Sequence, residues 1–195
     1  MSFQFDRVEH TYTLDGQRVP SVTTVLGLLQ NFDSIPWATL ENARKRGERV
    51  HQCVNAYNRG AYEDTDFPED VACYLDGWEA FLKESGATVV QSEQPVYHKA
   101  LRYAGTPDCV LSWKGDRTLL IPDIKATWEV PPTVGAQTAA YAEAYKAMQP
   151  RKVRVDRACI HLTRDGYKLH PRNDSADWSL FVSTLNVYRF LEKAA

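Results

Sequence analysis

Polar and apolar residues alternate through "FQFDRVEHTYTLDGQRVP" near the N-terminus, the period-two pattern of strands with one buried face. Asp15-Gly16 is a favoured turn pair, so a small hairpin is expected there. Pro20-Ser21 then announces a helix over "VTTVLGLL", with Ser21 as its N-cap. The spacing predicts a second helix from about Pro36 through "WATLENARKRGERVHQCVNAYNRG", ending at Gly60, then a loop "AYEDTDFPED". A third helix is expected over "VACYLDGWEAFLKESG", closed by Gly86. Beyond it the pattern turns β-rich in "TVVQSEQPVYH", "LRYAGTPDCVLSW" and "RTLLIPDIKAT", with Lys114-Gly115-Asp116 as the turn between the last two. After "WEVPPT", an Ala-rich helix "VGAQTAAYAEAYKAM" stops before Pro150. Two more strands are expected around Asp165-Gly166, and a final amphipathic helix over "SADWSLFVSTLNVYRFLEKAA".

Helices first, then a mixed sheet with one interposed helix, then a covering helix, describe an α/β sandwich with an N-terminal helical lobe. A length of 195 residues suits one domain, with residues 1–86 as hairpin and lobe and 87–195 as α/β core. At 44% hydrophobic and 25% charged, the chain has enough apolar side chain for a core without a metal or disulfide staple. The formal charge of -2 means that any nucleic acid would be bound by a local patch. Residues 151–172 are basic and residues 61–84 acidic, which on charge alone describes two solvated faces. Cys53, Cys73, Cys109 and Cys159 form no C-x-x-C pair, as expected of reduced thiols. There is no basic n-region followed by an apolar h-region and no run of ~18 apolar residues. A soluble protein that remains in the cytoplasm of a bacterial host cell is expected.

Asp108 interrupts an apolar run, and Asp123 lies just past Leu119-Leu120-Ile121. If the turn at Lys114-Gly115 makes the two strands antiparallel neighbours, the carboxylates come onto adjacent strands. Asp123 and Lys125 are two apart and share a face, while Ile124 points the other way, into the core. Two carboxylates held close repel unless a cation sits between them. Mg²⁺ suits such oxygens, and a lysine beside it can orient a water or stabilise charge on a phosphate. The same residues equally read as a strand-end Asp–Lys ion pair with Asp108 capping a turn.

The stretch resembles the PD-(D/E)XK nuclease superfamily through Asp108 and Asp123-Ile124-Lys125. Gln137 and Tyr141 match the Q-x-x-x-Y of its RecB-type branch and share one helical face. Gly47 and His51 in "RGERVH" match that branch's G-x-x-x-H, and Glu93 in "SEQPV" matches an acidic position on the strand before G-x-x-D. With "VPSVTTVL", Trp37, "YAGTPDCV" and "DIKAT" in the same order, residues 10 to 145 are similar to the mitochondrial genome maintenance exonucleases and their phage and bacterial relatives. Ala126 stands where many relatives carry Thr, the cysteine cluster of the iron–sulfur members is missing, and so is the helicase domain of RecB-like proteins.

The resemblance implies a restriction-endonuclease-like mixed sheet flanked by helices and an Mg²⁺- or Mn²⁺-dependent deoxyribonuclease. Its expected activity is that of an exonuclease preferring single-stranded DNA ends, in phage or bacterial recombination or repair. It further implies a metal held by His51, Asp108, Asp123 and the Ile124 carbonyl, with Glu93 as an additional acidic group. Lys125 would position the attacking water, and Gln137 and Tyr141 would support the lysine and the DNA backbone. Arg44, Arg46 and Arg49, on the helix that carries His51, would guide the phosphates, or simply be solvated. Tyr57 or Trp128 would be available for base stacking. Trp37 is expected to pack within the helical lobe. A recombination or single-strand-binding protein is a further possible partner. The rivals are a structure-specific endonuclease on the same fold and a catalytically silent DNA-binding protein.

Overall fold

The computed structural model describes residues 2–31, 35–61 and 68–194. Most of the acidic loop expected after Gly60 lies outside the described residues. The chain begins with three short antiparallel strands, β1 (Phe3–Asp6), β2 (Thr11–Leu14) and β3 (Gln17–Val19). At the β2–β3 turn both Asp15 (φ 51) and Gly16 (φ 75) have positive φ, the geometry that matches strand twist in a two-residue hairpin. Helix α1 (Val22–Leu26) is capped as expected, with the Ser21 side chain accepting the Thr24 N–H at 2.9 Å. It shortens into a single 3-10 turn at Gly27–Leu29. Helices α2 (Trp37–Asn58) and α3 (Glu69–Ser85) follow.

The principal sheet contains β4 (Thr88–Ser92), β7 (Cys109–Ser112), β8 (Thr118–Lys125), β9 (Arg154–Thr163) and β10 (Gly166–Pro171). Its order is β10-β9-β8-β7-β4, parallel only between β8 and β9. That parallel pair needs a crossover, which is α4 (Val134–Met148). A separate two-stranded sheet joins β5 (Val96–His98) to β6 (Tyr103–Gly105), and α5 (Ala176–Ala194) ends the fold. The β-rich segment "TVVQSEQPVYH" is thus divided between two sheets. The break falls at Glu93, whose φ of 48 leaves the extended region, and Pro95 gives no N–H to a ladder.

Side-chain alternation sorts the sheet into two faces. Leu111, Leu120, Ile124, Ala158, Ile160 and Leu162 meet Val50, Cys53 and Val54 of α2 and Val71, Tyr74, Trp78 and Phe81 of α3. On the opposite face Val110 and Ile121 meet α1, the alanines of α4, and Phe181 and Leu185 of α5. Ile124 is therefore in the α2/α3-side core, and the odd-numbered Ile121, Asp123 and Lys125 face α4. Ten of the fifteen α4 residues are buried, because the helix is wedged between sheet and α5. Trp37 is 76% exposed rather than packed. The buried residues of α2 begin only at Val50, so its first turns project beyond the core.

Candidate active site

Three chain segments converge at the carboxyl end of β8. The β7–β8 register pairs Leu111 with Leu120, and continuing it by three residues on each strand sets Asp108 opposite Asp123. The two carboxylates thereby occupy one end of the α4-facing side. Asp108 Oδ2 accepts the Ile124 N–H at 2.6 Å, and Asp108 Oδ1 lies 3.0 Å from His51 Nδ1 on α2. Lys125 Nζ stands 2.7 Å from Asp123 Oδ2. Asp123 is 2% exposed, and despite that ion pair its buried Oδ2 receives no well-directed hydrogen bond.

These contacts set the charge states. Burial opposes ionisation of Asp108, but the His51 imidazole, the Lys125 ammonium and the Ile124 N–H hold it below the ordinary carboxylate value. Burial raises Asp123, and the Asp108 charge raises it further, against the pull of Lys125. For His51, burial works against the charged ring, yet Asp108 outweighs it and the imidazole binds its proton more tightly than usual. Burial likewise opposes the Lys125 charge, and Asp123 and Asp108 overcome it. One carboxylate thus prefers its charged form and its neighbour resists it.

Tyr141 and Gln137 reach the same place from α4. The Tyr141 hydroxyl is held protonated by burial and by the charges of Asp123 and Asp108, and Gln137 Nε2 lies 3.5 Å from it. The Tyr141 ring rests on Gly105, where an added Cβ would stand 2.6 Å from Tyr141 Cε1. A hydrogen at that position is what lets the ring lie against the β6 backbone.

Glu93 lies just past β4 rather than within a strand. Its N–H donates to the Asp108 carbonyl at 3.0 Å, and its Oε2 accepts from Asn55 Nδ2 at 2.7 Å. Burial and then the Asp108 charge raise its pKa. Arg46 Nε points at the Ala126 carbonyl at 3.4 Å, beside the end of β8. Arg44 is engaged by Glu41 and Glu48 on its own helix, and Arg49 is exposed. Trp128 is 91% exposed two residues beyond Ala126, whereas Tyr57 packs partly against the α2/α3 core.

The Asn55–Asn58 pair escaped the sequence reading. Ser92 Oγ donates to Asn55 Oδ1 at 2.9 Å, and Trp78 Nε1 donates to Asn58 Oδ1 at 2.9 Å. This network ties α2 to α3 and to the strand end that carries Glu93. Its only signal was the i, i+4 and i+7 spacing of Asn55 and Asn58 from His51, which places all three on one helical face.

Among the described residues no three His, Cys, Asp or Glu side chains stand in ready metal-ligating geometry. Asp108 and Asp123 are closed instead by His51 and by Lys125. The donor set nevertheless fits a hard divalent cation, since Asp123 Oδ2 is a buried acceptor lacking a directed donor and two carboxylates share one corner. No helix among the described residues is long and apolar enough to cross a membrane.

No protein-family model matches the chain, and no curated protein matches it. Solved structures do. One from Eubacterium rectale, named "Putative exonuclease", aligns with a TM-score of 0.50 at 11% identity over 75% of this chain. The alignment spans 66% of that protein, just under two thirds of its length. An alkaline exonuclease from Laribacter hongkongensis aligns with a TM-score of 0.37 at 15% identity, covering 60% of this chain and 68% of that one. At such identities the first likeness establishes the fold: a mixed sheet between helical layers, shared with the Eubacterium rectale protein.

Proposed function

We propose that this chain is a divalent-metal-dependent nuclease that hydrolyses phosphodiester bonds of DNA from ends, with a preference for single strands. The observation that carries the reading is the meeting of Asp108, Asp123 and Lys125 at one end of the sheet, with His51 brought to Asp108 from α2. Asp108, Asp123 and His51 would hold Mg²⁺ or Mn²⁺, with the Ile124 carbonyl beside them and Glu93 close by. Such an ion supplies Lewis acidity toward a phosphoryl oxygen and a more acidic bound water.

The chain's own groups do the rest. The Ile124 N–H holds the Asp108 carboxylate in one orientation. The Lys125 ammonium, kept charged by Asp123 and Asp108, presents proton donors to an attacking water and to the phosphate as its charge builds. The Tyr141 hydroxyl and Gln137 amide line the α4 side of the same corner and offer neutral hydrogen bonds. Trp128 offers an exposed ring to an unpaired base, and Arg46 a cation to the backbone. The likeness of fold to the Eubacterium rectale protein agrees with this reading. Recombination or repair in a phage or bacterial setting, beside a recombination or single-strand-binding protein, is the context in which such an activity would serve.

The test uses end-labelled DNA, single- and double-stranded, linear and circular, with Mg²⁺, Mn²⁺ or EDTA. Metal-dependent shortening of linear single strands, with circles spared, is expected. Cutting of circles would replace the exonuclease reading by an endonuclease. No cleavage in any divalent cation would overturn the nuclease reading.

A further inference from the structure

Beside the carboxylate corner lies a cavity of about 380 Å³. Its walls come from three places: Arg7 in the β1–β2 turn, Asn55, Asn58 and Arg59 at the end of α2, and β4 from Val89 on with Glu93 and Gln94 just past it. Arg7 and Arg59 make no ion pair with any described residue, in contrast to Arg44 and Arg157, which do. The asparagine amides in the wall are already spent, Asn55 on Ser92 and Glu93 and Asn58 on Trp78 and Ser92, while Gln91 and Gln94 add neutral amides that both donate and accept. The cationic groups of the wall are two guanidiniums, which are donors only. Glu93 is the one opposing charge in the wall; Asn55 donates to its Oε2, and its charge is felt by both Arg7 and Arg59, so the two guanidiniums exceed it by one positive charge.

We infer that this cavity is a phosphate subsite for the substrate strand, with the Arg7 and Arg59 guanidiniums as its ligating groups. The inference rests on the nuclease reading for the identity of the strand, and on the cavity for its place. Guanidinium forks match phosphate oxygens two at a time, and the strand's backbone is the chemical class they select. Position agrees with chemistry. Asn55 and Arg59 follow His51 by one and two helical turns, roughly 6 and 12 Å along the axis at 1.5 Å per residue. A strand laid along α2 with its reacting phosphate at His51 therefore carries a neighbouring phosphate into the cavity. Asn55 joins the two places physically, since it bonds Glu93 while the Glu93 N–H bonds the Asp108 carbonyl. The phosphate is either a terminal one or one within the strand, and both have the chemistry the cavity selects.

The test is equilibrium binding of a fluorescent single-stranded oligonucleotide in EDTA, by anisotropy, for wild type and for Arg7→Gln/Arg59→Gln. For single strands, log K against log salt changes by roughly 0.7 for each phosphate contact removed. The double variant should lower that slope by about 0.7 if both groups share one phosphate, or twice that if they hold two. A set of oligonucleotides, each with one neutral methylphosphonate, locates the contact: wild type should lose affinity at one or two positions, and the variant should be indifferent there. Oligonucleotides with 5′-phosphate, 3′-phosphate or hydroxyl ends separate a terminal from an internal source. Both arginines are exposed, so the variant should keep its urea midpoint, and Arg7→Lys/Arg59→Lys should restore most of the slope. An unchanged slope, an identical methylphosphonate profile in the variant, or no binding by wild type would overturn the subsite. Failure of wild type to cleave in any divalent cation would overturn the nuclease reading alone, because the binding measurement does not depend on cleavage.

Discussion

Replacing Lys125 by Met removes the ammonium 2.7 Å from Asp123 and keeps most of the aliphatic stem. Asp123 is 2% exposed, so its carboxylate would be left buried without its ammonium partner, and breaking a buried pair from one side costs about 3–5 kcal/mol. Protonation makes this cost depend on pH. Asp123 is already raised by burial with the lysine present, and loss of the neighbouring ammonium raises it further. The unfolded chain releases that proton near pH 4, so the native state is penalised only above that value. The sign is fixed by the direction of the shift. A carboxyl raised in the native state costs nothing below its unfolded value, and the cost grows as pH rises above it. Urea denaturation of the metal-free protein at pH 5 and pH 7 is the measurement. The difference between wild type and Lys125→Met should be about 3–5 kcal/mol at pH 7 and markedly smaller at pH 5, and Asp123→Asn/Lys125→Met should recover most of it. A difference below 1 kcal/mol, or one independent of pH, would refute the buried-pair argument. The cleavage assay on the same variant should show roughly a hundredfold or greater loss in rate.

Three further outcomes are expected. The His51 imidazole, raised by Asp108, contributes stability that is complete below its unfolded value near 6.5 and is lost as pH rises through its native value; the metal-free wild type should lose urea resistance over that interval, and His51→Gln should be flat across it. Gly105→Ala would press a methyl to 2.6 Å from Tyr141 Cε1 and 3.1 Å from Val22 Cγ2, and as both neighbours are buried it should cost about 1–3 kcal/mol in urea and slow cleavage by shifting the tyrosine; an unchanged midpoint would contradict the packing. Arg46→Ala should weaken oligonucleotide binding more than Arg44→Ala, because the Arg44 guanidinium is committed to Glu41 and Glu48 while Arg46 lies at the end of β8; anisotropy titrations giving the reverse order would exclude this placement.

Local chemistry made much of this readable in the sequence. Asp15-Gly16, the Ser21 cap and Gly86 act within a few residues of themselves, and each stands where its turn or cap chemistry puts it. Asp108, Asp123 and Lys125 were legible because strand periodicity and a short turn fix their faces. The convergence of His51 was available only through the G-x-x-x-H resemblance, since nothing local brings residue 51 to residue 108. What depended on packing between layers stayed hidden. The strand break at Glu93 follows from a kinked backbone between two sheets, and the Asn55–Asn58 network from the apposition of α2 with β4. The exposure of Trp37 follows from how far α2 overhangs its core, which composition does not encode.

A five-stranded open sheet leaves two unpaired rims, and in this fold the rims are β4 and β10. Strand β4 is irregular, its register slipping between Val89 and Gln91, and a bulged strand bends and cannot offer an even row of amide groups to another chain. Strand β10 exposes Lys168 and is partly roofed by α3, with Tyr167 donating to Glu84 at 2.7 Å. Charge and cover are the devices by which natural sheets avoid being lengthened by a neighbour. The slip in β4 beside Glu93 therefore has a colloidal consequence: the strand bordering the cavity is guarded against templating aggregation, so its groove can stay open to solvent at high protein concentration.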